Sequence, residues 1–495
     1  MPFRDLREFI TALEQQGQLC RVTRQVDWNL ELAHVAKLNE ERGGAALLFQ
    51  DIKDYPGKYV FSGAFTARER MAIALGLDPH TRYVELARHW VQRTQERVPP
   101  VMVEQGEWQQ NVRQGAEVNL LELPVPWVYP ADGGRYIGTA VYLITRNPDT
   151  GRVNLGTYRG MVIDERTIGI QIIKGKDADI DLKAYARAKQ PMPCAYVIGG
   201  NPLLFACSST LFPIDFSEYD AAGSLNGAPI EVAHGLTTDL PIPAGAEIVI
   251  EGEIMPGETL PEGPFGEYTG YYSGAGEHTR EFITVKSLAF RDEPILWLST
   301  VGKPTTDTHM IMGINHNATL WSDLLRAKIP GIQAVYCPPE AAGRMLAVIS
   351  IRQMYYGHST WVGLAAFSSI TGNYGLKTVI VVDEDIDPED WSQVLYALAF
   401  RLQPERGIQV LHRGRSTPLD PSLPIDSRYL TSRVLIDCCI PYEWEKKPRP
   451  IELDQELVKR ITDEWDTYFG QLPADGHEAR ARERPLAVPA PSARR

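Results

Sequence analysis

Cysteine is scarce and poorly placed for cross-linking. Six of the 495 residues are cysteine (Cys20, Cys194, Cys207, Cys337, Cys438 and Cys439), and no two form a CxxC pair. This argues against a zinc ribbon or a disulfide scaffold and fits a reducing compartment. No run of about 18 apolar residues occurs, so no membrane-spanning helix is expected. The opening MPFRDLREFITALEQQGQL carries charges where a secretory signal needs an apolar core. Basic charge is also short. With 50 Lys and Arg against 63 Asp and Glu, the formal net charge is −13, and no basic stripe occurs outside the C-terminal tail. A nucleic-acid partner is therefore not expected. What is present is ordinary globular composition, 44% hydrophobic and 23% charged. At about 150 residues per domain the length suggests roughly three domains, and a chain of this size buries a core without staples. The expectation is an acidic, cytoplasmic, multidomain protein of the kind that is most often an enzyme.

The texture changes twice along the chain. In the first part, Leu6, Phe9, Ile10 and Leu13 recur at helical spacing with Gly17 near the stop. Asp27 is placed to cap a second helix carrying Leu30, Ala33, Val35 and Leu38. ALLFQDI (46–52) and YVFSG (59–63) read as strands, and 67–77 and 84–94 as helices. Prolines 99, 100, 124, 126 and 130 then break the chain. From about 136 come many short β-rich runs, among them YIGTAVYLITRN, VNLGTYRGMVID, CAYVIGG, AEIVIEGEIM, FITVKSLAF and PILWLST, interrupted by one helical stretch at 179–188. Such a block suggests a barrel or sandwich. From about 309, helical runs alternate with the strands QAVYCP, RMLAVISI and KTVIVVDEDI, as in a second α/β domain. Residues 453–469 read as an amphipathic helix with Leu457, Ile461 and Trp465 on one face. The Pro-, Ala- and Arg-rich tail from Ala474 cannot form a core.

Three stretches carry chemistry. In Glu262-Gly263-Pro264-Phe265-Gly266-Glu267 two carboxylates lie five apart. A regular strand would set them on opposite faces, whereas Gly and Pro favour a turn that can bring both onto one wall. Paired carboxylates push their pKa values apart, so one can remain protonated. A surface turn with two solvated glutamates is the plain alternative. In Asn154-Leu155-Gly156-Thr157-Tyr158-Arg159 an amide and a guanidinium are again five apart, with Gly156 a candidate bulge. Arg159 can fork onto carboxylates or phosphates, or simply join a surface salt bridge. Cys207-Ser208-Ser209-Thr210 followed by Phe216-Ser217-Glu218 offers hydroxyls for a phosphate and a carboxylate for a cation, or a polar turn and a helix start capped by Ser217.

Together and in this order, these stretches resemble the UbiD family of prenylated-flavin-dependent decarboxylases. The resemblance runs from FRDLREFITALEQQGQL through EGPFGEYTGYY to KTVIVVDEDIDPEDW and covers nearly all of the chain except the tail. It implies an N-terminal α/β domain (1–125), a central split β-barrel that binds prenylated FMN (126–308), a C-terminal α/β domain ending in a helix (309–473), and a disordered tail (474–495). Arg159, Glu262 and Glu267 match the family's catalytic trio, with Glu267 as proton donor and Arg159 and Glu262 orienting the network. Asn154 and Glu218 match two ligands of a divalent metal, Mn2+ or Mg2+, with K+ a further candidate. Thr139, Thr157, Tyr158, Ser208 and Ser209, with Arg159, fall at cofactor-contact positions, and Lys377 resembles a lysine that reaches the cofactor from the last domain. The family's third metal ligand is a histidine shortly after the arginine. Here the region reads Ile172-Ile173-Lys174-Gly175-Lys176-Asp177. Either Lys174 or Lys176 meets the phosphate directly, or Asp177 takes the ligand's place.

The activity so implied is reversible, non-oxidative decarboxylation of an aromatic, heteroaromatic or α,β-unsaturated acid. Implied partners are an enzyme that supplies the prenylated flavin and further copies of the chain, as a homodimer or a homohexamer. A catalytically silent flavin carrier of the same fold is the alternative, and a cofactor-free hydrolase built on the carboxylate pair is a third. His309, in Thr305-Thr306-Asp307-Thr308-His309, is either a pocket donor or a satisfied structural residue. Tyr271, Tyr272, Met312, Trp361 and Phe367 are either pocket walls or core.

Overall fold

The computed structural model describes residues 3–210, 212, 216–273, 279–424, 428–451 and 453–469. The tail from Ala474 lies outside the described residues.

The first helix, Leu6–Gln15, buries Leu6, Phe9, Ile10 and Leu13, and the Asp5 side chain caps it by accepting from Glu8 N at 2.9 Å. The second helix spans Glu31–Glu41 and starts after Leu30, so Asp27 does not cap it. Its buried face is Leu32, Ala33, Ala36 and Lys37, while Val35 and Leu38 are exposed. The expected stripe was out of phase because Leu30 has φ 69° and stands outside the helix. Strands Leu19–Val22, Ala46–Phe49 and Tyr59–Ser62 form a sheet whose fourth member is Ile295–Leu298, parallel to Tyr59–Ser62. The PILWLST run, read with the β-rich block, thus leaves the central sheet and closes the N-terminal one.

The central domain is a curled nine-stranded sheet, a half-barrel. Its order is Arg135–Gly138, Gly160–Asp164, Thr167–Ile170, Phe282–Phe290, Ala246–Ile254, Met192–Gly199, Tyr142–Arg146 and Val153–Gly156, with Asn111–Gln114 pairing beside Phe282–Phe290. Neighbours on the main path are antiparallel, and apolar residues of its strands merge with those of the N-terminal domain into one core. The C-terminal sheet runs Ile332–Tyr336, Leu346–Ile351, Thr378–Asp383, Leu430–Asp437, Ile408–Arg415, with parallel pairing in its middle. Thr378–Asp383 is covered on both faces, which explains its unbroken TVIVV run. The helix Asp307–Arg326 crosses from central to C-terminal domain, and Tyr83 of the N-terminal domain ties it down by donating to Met310 O at 2.9 Å.

One strap positions the site. Asp132 accepts from Gly266 N at 2.9 Å, and Gly133 N donates to Pro264 O at 2.7 Å, fixing the turn between the two glutamates. Gly133 is needed because a Cβ there would lie 2.0 Å from Gly263 O. Gly133→Ala is expected to cost about 1–3 kcal/mol through overpacking. Chemical denaturation of the variant and the parent measures it, and equal midpoints would contradict the strap.

Candidate active site

The strand Val153–Gly156 stops where it does because the Tyr158 ring folds back over Gly156, 2.4 Å from where a Cβ would stand. Gly156 therefore serves close approach and not a bulge. The chain turns out of the sheet at 157–159, so Asn154 and Arg159 belong to different local structures. Arg159 Nε donates to Glu262 Oε1 at 2.9 Å and Nη2 to Glu262 Oε2 at 2.7 Å, a bidentate fork. Its Nη1 donates to Glu267 Oε1 at 2.6 Å. The turn at 263–266 does bring both carboxylates to one wall. All three side chains are nearly inaccessible: 8% for Arg159, 0% for Glu262 and 9% for Glu267. Burial opposes the guanidinium's charge, but Glu267 and Glu262 outweigh it and hold its pKa above the ordinary value. Glu267 moves upward from the usual carboxylate range, because burial outweighs Arg159 and Ser273.

Three residues of this network were not anticipated. Tyr136 OH donates to Glu262 Oε1 at 2.8 Å. Ser273 Oγ donates to Glu267 Oε1 at 2.8 Å and accepts from Arg159 Nη1 at 3.0 Å. Asp132 holds the turn as described, and burial pushes its carboxyl up to about 6. Tyr136 sits inside a strand that reads as ordinary core, and Ser273 lies in a Tyr-Tyr-Ser run, so neither carries a local signal. A small apolar cluster of Tyr136, Met161, Phe265, Tyr268, Val301 and Ala342 stands beside the trio, with Met312 and Leu419 packed against it. Phe265 lies under the Arg159 guanidinium at 4.8 Å.

The second group lies at the strand end. Thr157 Oγ1 is 2.8 Å from Ser208 Oγ and 2.9 Å from Ser209 Oγ, a cluster of three hydroxyls. Thr139 Oγ1 accepts from Ser299 N at 3.0 Å. Tyr158 is buried, and its carbonyl accepts from Tyr196 OH at 2.7 Å. Asn154 and Glu218 are both buried; Asn154 donates to Thr145 Oγ1 at 3.3 Å, and Glu218 Oε2 accepts from Leu155 N at 3.2 Å. Burial lifts the Glu218 carboxyl to about 7. Ser217 caps the helix that Glu218 begins. Asp177 is held by Arg152 at 3.1 Å. Ile172 is buried, and Lys174 and Lys176 are exposed, the Lys176 ammonium with much protein around it. That surrounding, with Arg344 second, draws the Lys176 ammonium down to about 8. Among the described residues no group of three His, Cys, Asp or Glu is placed to hold a metal. Asn154 and Glu218 offer two oxygens, and Asp177 stands within electrostatic reach of Glu218 while paired with Arg152. Lys377 Nζ bonds Asp420 at 3.0 Å and Ser422 Oγ at 2.5 Å.

The other candidates separate. Phe367 is buried in the C-terminal core, Trp361 and Tyr271 are exposed, and Tyr272 OH accepts from Ala131 N at 3.2 Å. His309 is a satisfied structural residue. Its Nδ1 accepts from Thr306 N at 3.0 Å, and its Nε2 donates to Tyr268 O at 2.6 Å, next to Glu267.

Comparison with known proteins decides the family. Residues 10–90, 101–304 and 309–438 match in turn the N-terminal, Rift-related and C-terminal domains described for 3-octaprenyl-4-hydroxybenzoate carboxy-lyase. The chain belongs to the UbiD family. Among solved structures, this UbiD chain is similar to the vanillic acid decarboxylase of Sedimentibacter hydroxybenzoicus in its open form, at 30% identity over 94% of this chain and 100% of that one, with a TM-score of 0.85. It resembles the UbiD-class enzyme HmfF of Pelotomaculum thermopropionicum in complex with FMN, at 29% identity over 93% and 99%, TM-score 0.84. The 3,4-dihydroxybenzoic acid decarboxylase of Enterobacter cloacae matches at 25% identity over 93% and 100%, TM-score 0.81. No helix among the described residues of this UbiD chain is long and apolar enough to cross a membrane.

His309 generates a test of the wall behind Glu267. Burial holds its imidazole at about 4, below the ordinary 6.5. Between those values the unfolded chain binds more protons than the folded one. The stabilisation is therefore full above pH 6.5 and is lost as pH falls toward 4, at most about 3 kcal/mol. His309→Gln is expected to flatten the dependence of unfolding free energy on pH over that window. Parallel slopes for variant and parent would contradict it.

Proposed function

We propose that this chain catalyses reversible, non-oxidative decarboxylation of an aromatic, heteroaromatic or α,β-unsaturated carboxylic acid with prenylated FMN. The observation that carries the reading is the buried trio, in which one guanidinium serves two carboxylates unequally. The similar proteins named above are decarboxylases of vanillic and 3,4-dihydroxybenzoic acids and a UbiD-class enzyme solved with FMN, which supports the aromatic acid and the flavin.

Loss of CO2 from an sp2 carbon leaves a carbanion that no side chain can delocalise, and the prenylated flavin supplies that electron sink when bound. Thr139, Thr157, Tyr158, Ser208, Ser209, Arg159 and Lys377 are the residues that would hold it. The hydroxyl triplet fits a polar ligand edge. Asn154 and Glu218 would hold a divalent metal, with Asp177, now paired with Arg152, the candidate third ligand, and no step below depends on one.

Glu262 takes the guanidinium fork and the Tyr136 hydroxyl, which locks the orientation of Arg159. Both side-chain partners of Glu267 converge on Oε1. In its protonated form Glu267 carries its proton on Oε2 and gives it to the carbon that has lost CO2, as a general acid. In the carboxylation direction the same oxygen takes the proton back. The cluster of Tyr136, Phe265, Tyr268 and Met312 provides an apolar flank for a planar substrate and limits water near the acid.

Glu267→Gln keeps size and one acceptor but has no proton to give. Turnover of an aromatic acid is expected to fall by about 10²–10⁴-fold, with the bound-flavin absorbance of the loaded protein preserved. Normal CO2 release by that variant would remove Glu267 from the role.

We also propose that the chain assembles with further copies of itself through the helix Trp391–Phe400. That helix is apolar on both sides: Val394 and Ala397 face the core, while Leu395, Tyr396 and Phe400 remain 64%, 50% and 77% exposed. Light scattering is expected to give a dimer or larger assembly for the parent and a monomer for Leu395→Asp with Phe400→Asp. An unchanged mass would discard this face.

A further inference from the structure

A hydroxyl has one proton to give, and the groups around its oxygen decide where that proton points. Ser273 Oγ lies 3.0 Å from Arg159 Nη1 and 2.8 Å from Glu267 Oε1. A guanidinium can only donate. Ser273 therefore accepts from Arg159 and has a single direction left for its own proton, toward Glu267. Arg159 Nη1 also reaches the same Oε1 directly, at 2.6 Å. The three atoms close a triangle whose polarity is set by a permanently charged group. Oε1 receives both donors and is left no place for a proton of its own.

The backbone delivers Ser273 to this triangle without using its hydroxyl. Ser273 stands opposite Phe265 in the antiparallel pairing of Tyr272–Ser273 with Phe265–Gly266. Glu267 N donates to Tyr271 O at 3.0 Å, and Gly270 N to Glu267 O at 2.9 Å, which closes the turn between them. The side chains of Tyr271 and Tyr272 are exposed, so the serine is the side chain of this short strand that meets the trio. Removing the hydroxyl leaves all of these backbone bonds in place.

No neighbouring group can stand in for it. Burial and Glu262 push the Glu267 carboxyl up, while Arg159, the Ser273 hydroxyl and the Tyr268 N–H pull it down. The Arg159 fork is committed to Glu262. Tyr136 gives its proton to Glu262, Asp132 accepts from Gly266 N, and His309 holds the Tyr268 carbonyl. Among the described residues no side chain besides Arg159 and Ser273 donates to the Glu267 carboxylate.

We infer that Ser273 is a positioning residue for the proton transfer: oriented by Arg159, its hydroxyl fixes Oε1 of Glu267 and leaves Oε2 to face the substrate. This rests on the function proposed above, and Ser273 acts through Glu267, not on the substrate. The hydroxyl stabilises the carboxylate form, so without it Glu267 keeps its proton to higher pH.

The test follows kcat and KM against pH for the flavin-loaded parent, Ser273→Ala and Ser273→Thr, with 3,4-dihydroxybenzoic and vanillic acids as probes. Decarboxylation needs Glu267 protonated, so the alkaline limb of kcat reports its ionisation. In Ser273→Ala that limb is expected to move up by about one pH unit, as for loss of one hydrogen bond to a charged group, with kcat lower and KM unchanged. Ser273→Thr keeps the hydroxyl and is expected to retain the parent's limb. A Ser273→Ala limb that coincides with the parent's overturns the inference, as does a change confined to KM. If the loaded parent turns over neither acid, the fault lies with the substrate reading, and infrared titration of the flavin-free protein judges the serine alone. With Glu267→Gln as the reference spectrum, the Glu267 carboxyl band is isolated. Oε1 is the carbonyl oxygen of the protonated acid, so loss of the Ser273 donor is expected to raise both its stretching frequency and its protonation midpoint. Coincident spectra for Ser273→Ala and the parent overturn the inference.

Discussion

One positive charge shared between two buried carboxylates governs the site. With all three groups ionised the trio would carry a net negative charge in a setting from which water is nearly excluded, and uncompensated buried charge is costly. The sharing is unequal. Glu262 takes the fork, at 2.9 and 2.7 Å, and the Tyr136 hydroxyl at 2.8 Å. Glu267 receives a single N–H at 2.6 Å and the Ser273 hydroxyl. The cheapest relief is a proton on Glu267, in the direction its surroundings already push it. Two chemically identical side chains are thus placed in unequal surroundings by the geometry of one guanidinium.

That geometry is assembled from segments far apart in sequence, each pinned by backbone bonds. Arg159 leaves the sheet where the Tyr158 ring ends a strand, and Gln171 N donates back to Arg159 O at 3.4 Å. The glutamate turn is strapped by Asp132 and Gly133, and Phe265–Gly266 pairs with Tyr272–Ser273, which delivers Ser273 to the trio. His309 holds the carbonyl of Tyr268 from the other side. A buried polar network of this kind holds a single arrangement only when its members are satisfied, and the strap, the hairpin and the imidazole each satisfy one of them.

The parts legible in the sequence were those with local cause. Leu6, Phe9, Ile10 and Leu13 announce a helix because one face of it is core, and Glu262, Glu267 and Arg159 stand out because Gly and Pro around them force turns. What was not legible depends on distant partners. Ile295–Leu298 reads like its neighbours in the β-rich block, and only its pairing with Tyr59–Ser62 assigns it to another sheet. Ile408–Arg415 and Leu430–Asp437 escaped notice because each mixes polar with apolar residues; the first is the edge strand, and the second lies between it and the conspicuous Thr378–Asp383. Leu30 misled the phase of the second helix because periodicity cannot show that one apolar residue has left the helical conformation. Tyr136 and Ser273 are ordinary strand residues until the turn closes over them.

The short stretch from Asn154 to Arg159 links the two ends of the site. Asn154 faces the Thr145 hydroxyl, Thr157 joins Ser208 and Ser209, Tyr158 lies beneath Lys176, and Arg159 reaches the glutamates. Six residues thus tie the hydroxyl cluster to the carboxylate pair. Because the strand on one side and Tyr196 on the other anchor this stretch, the distance between those ends is set by covalent chain and not by loop motion. Reacting groups so held need little reorganisation when the substrate arrives. The C-terminal domain, by contrast, holds Lys377 just ahead of Thr378–Asp383 through Asp420 and Ser422, so that lysine is fixed independently of the stretch that carries Arg159.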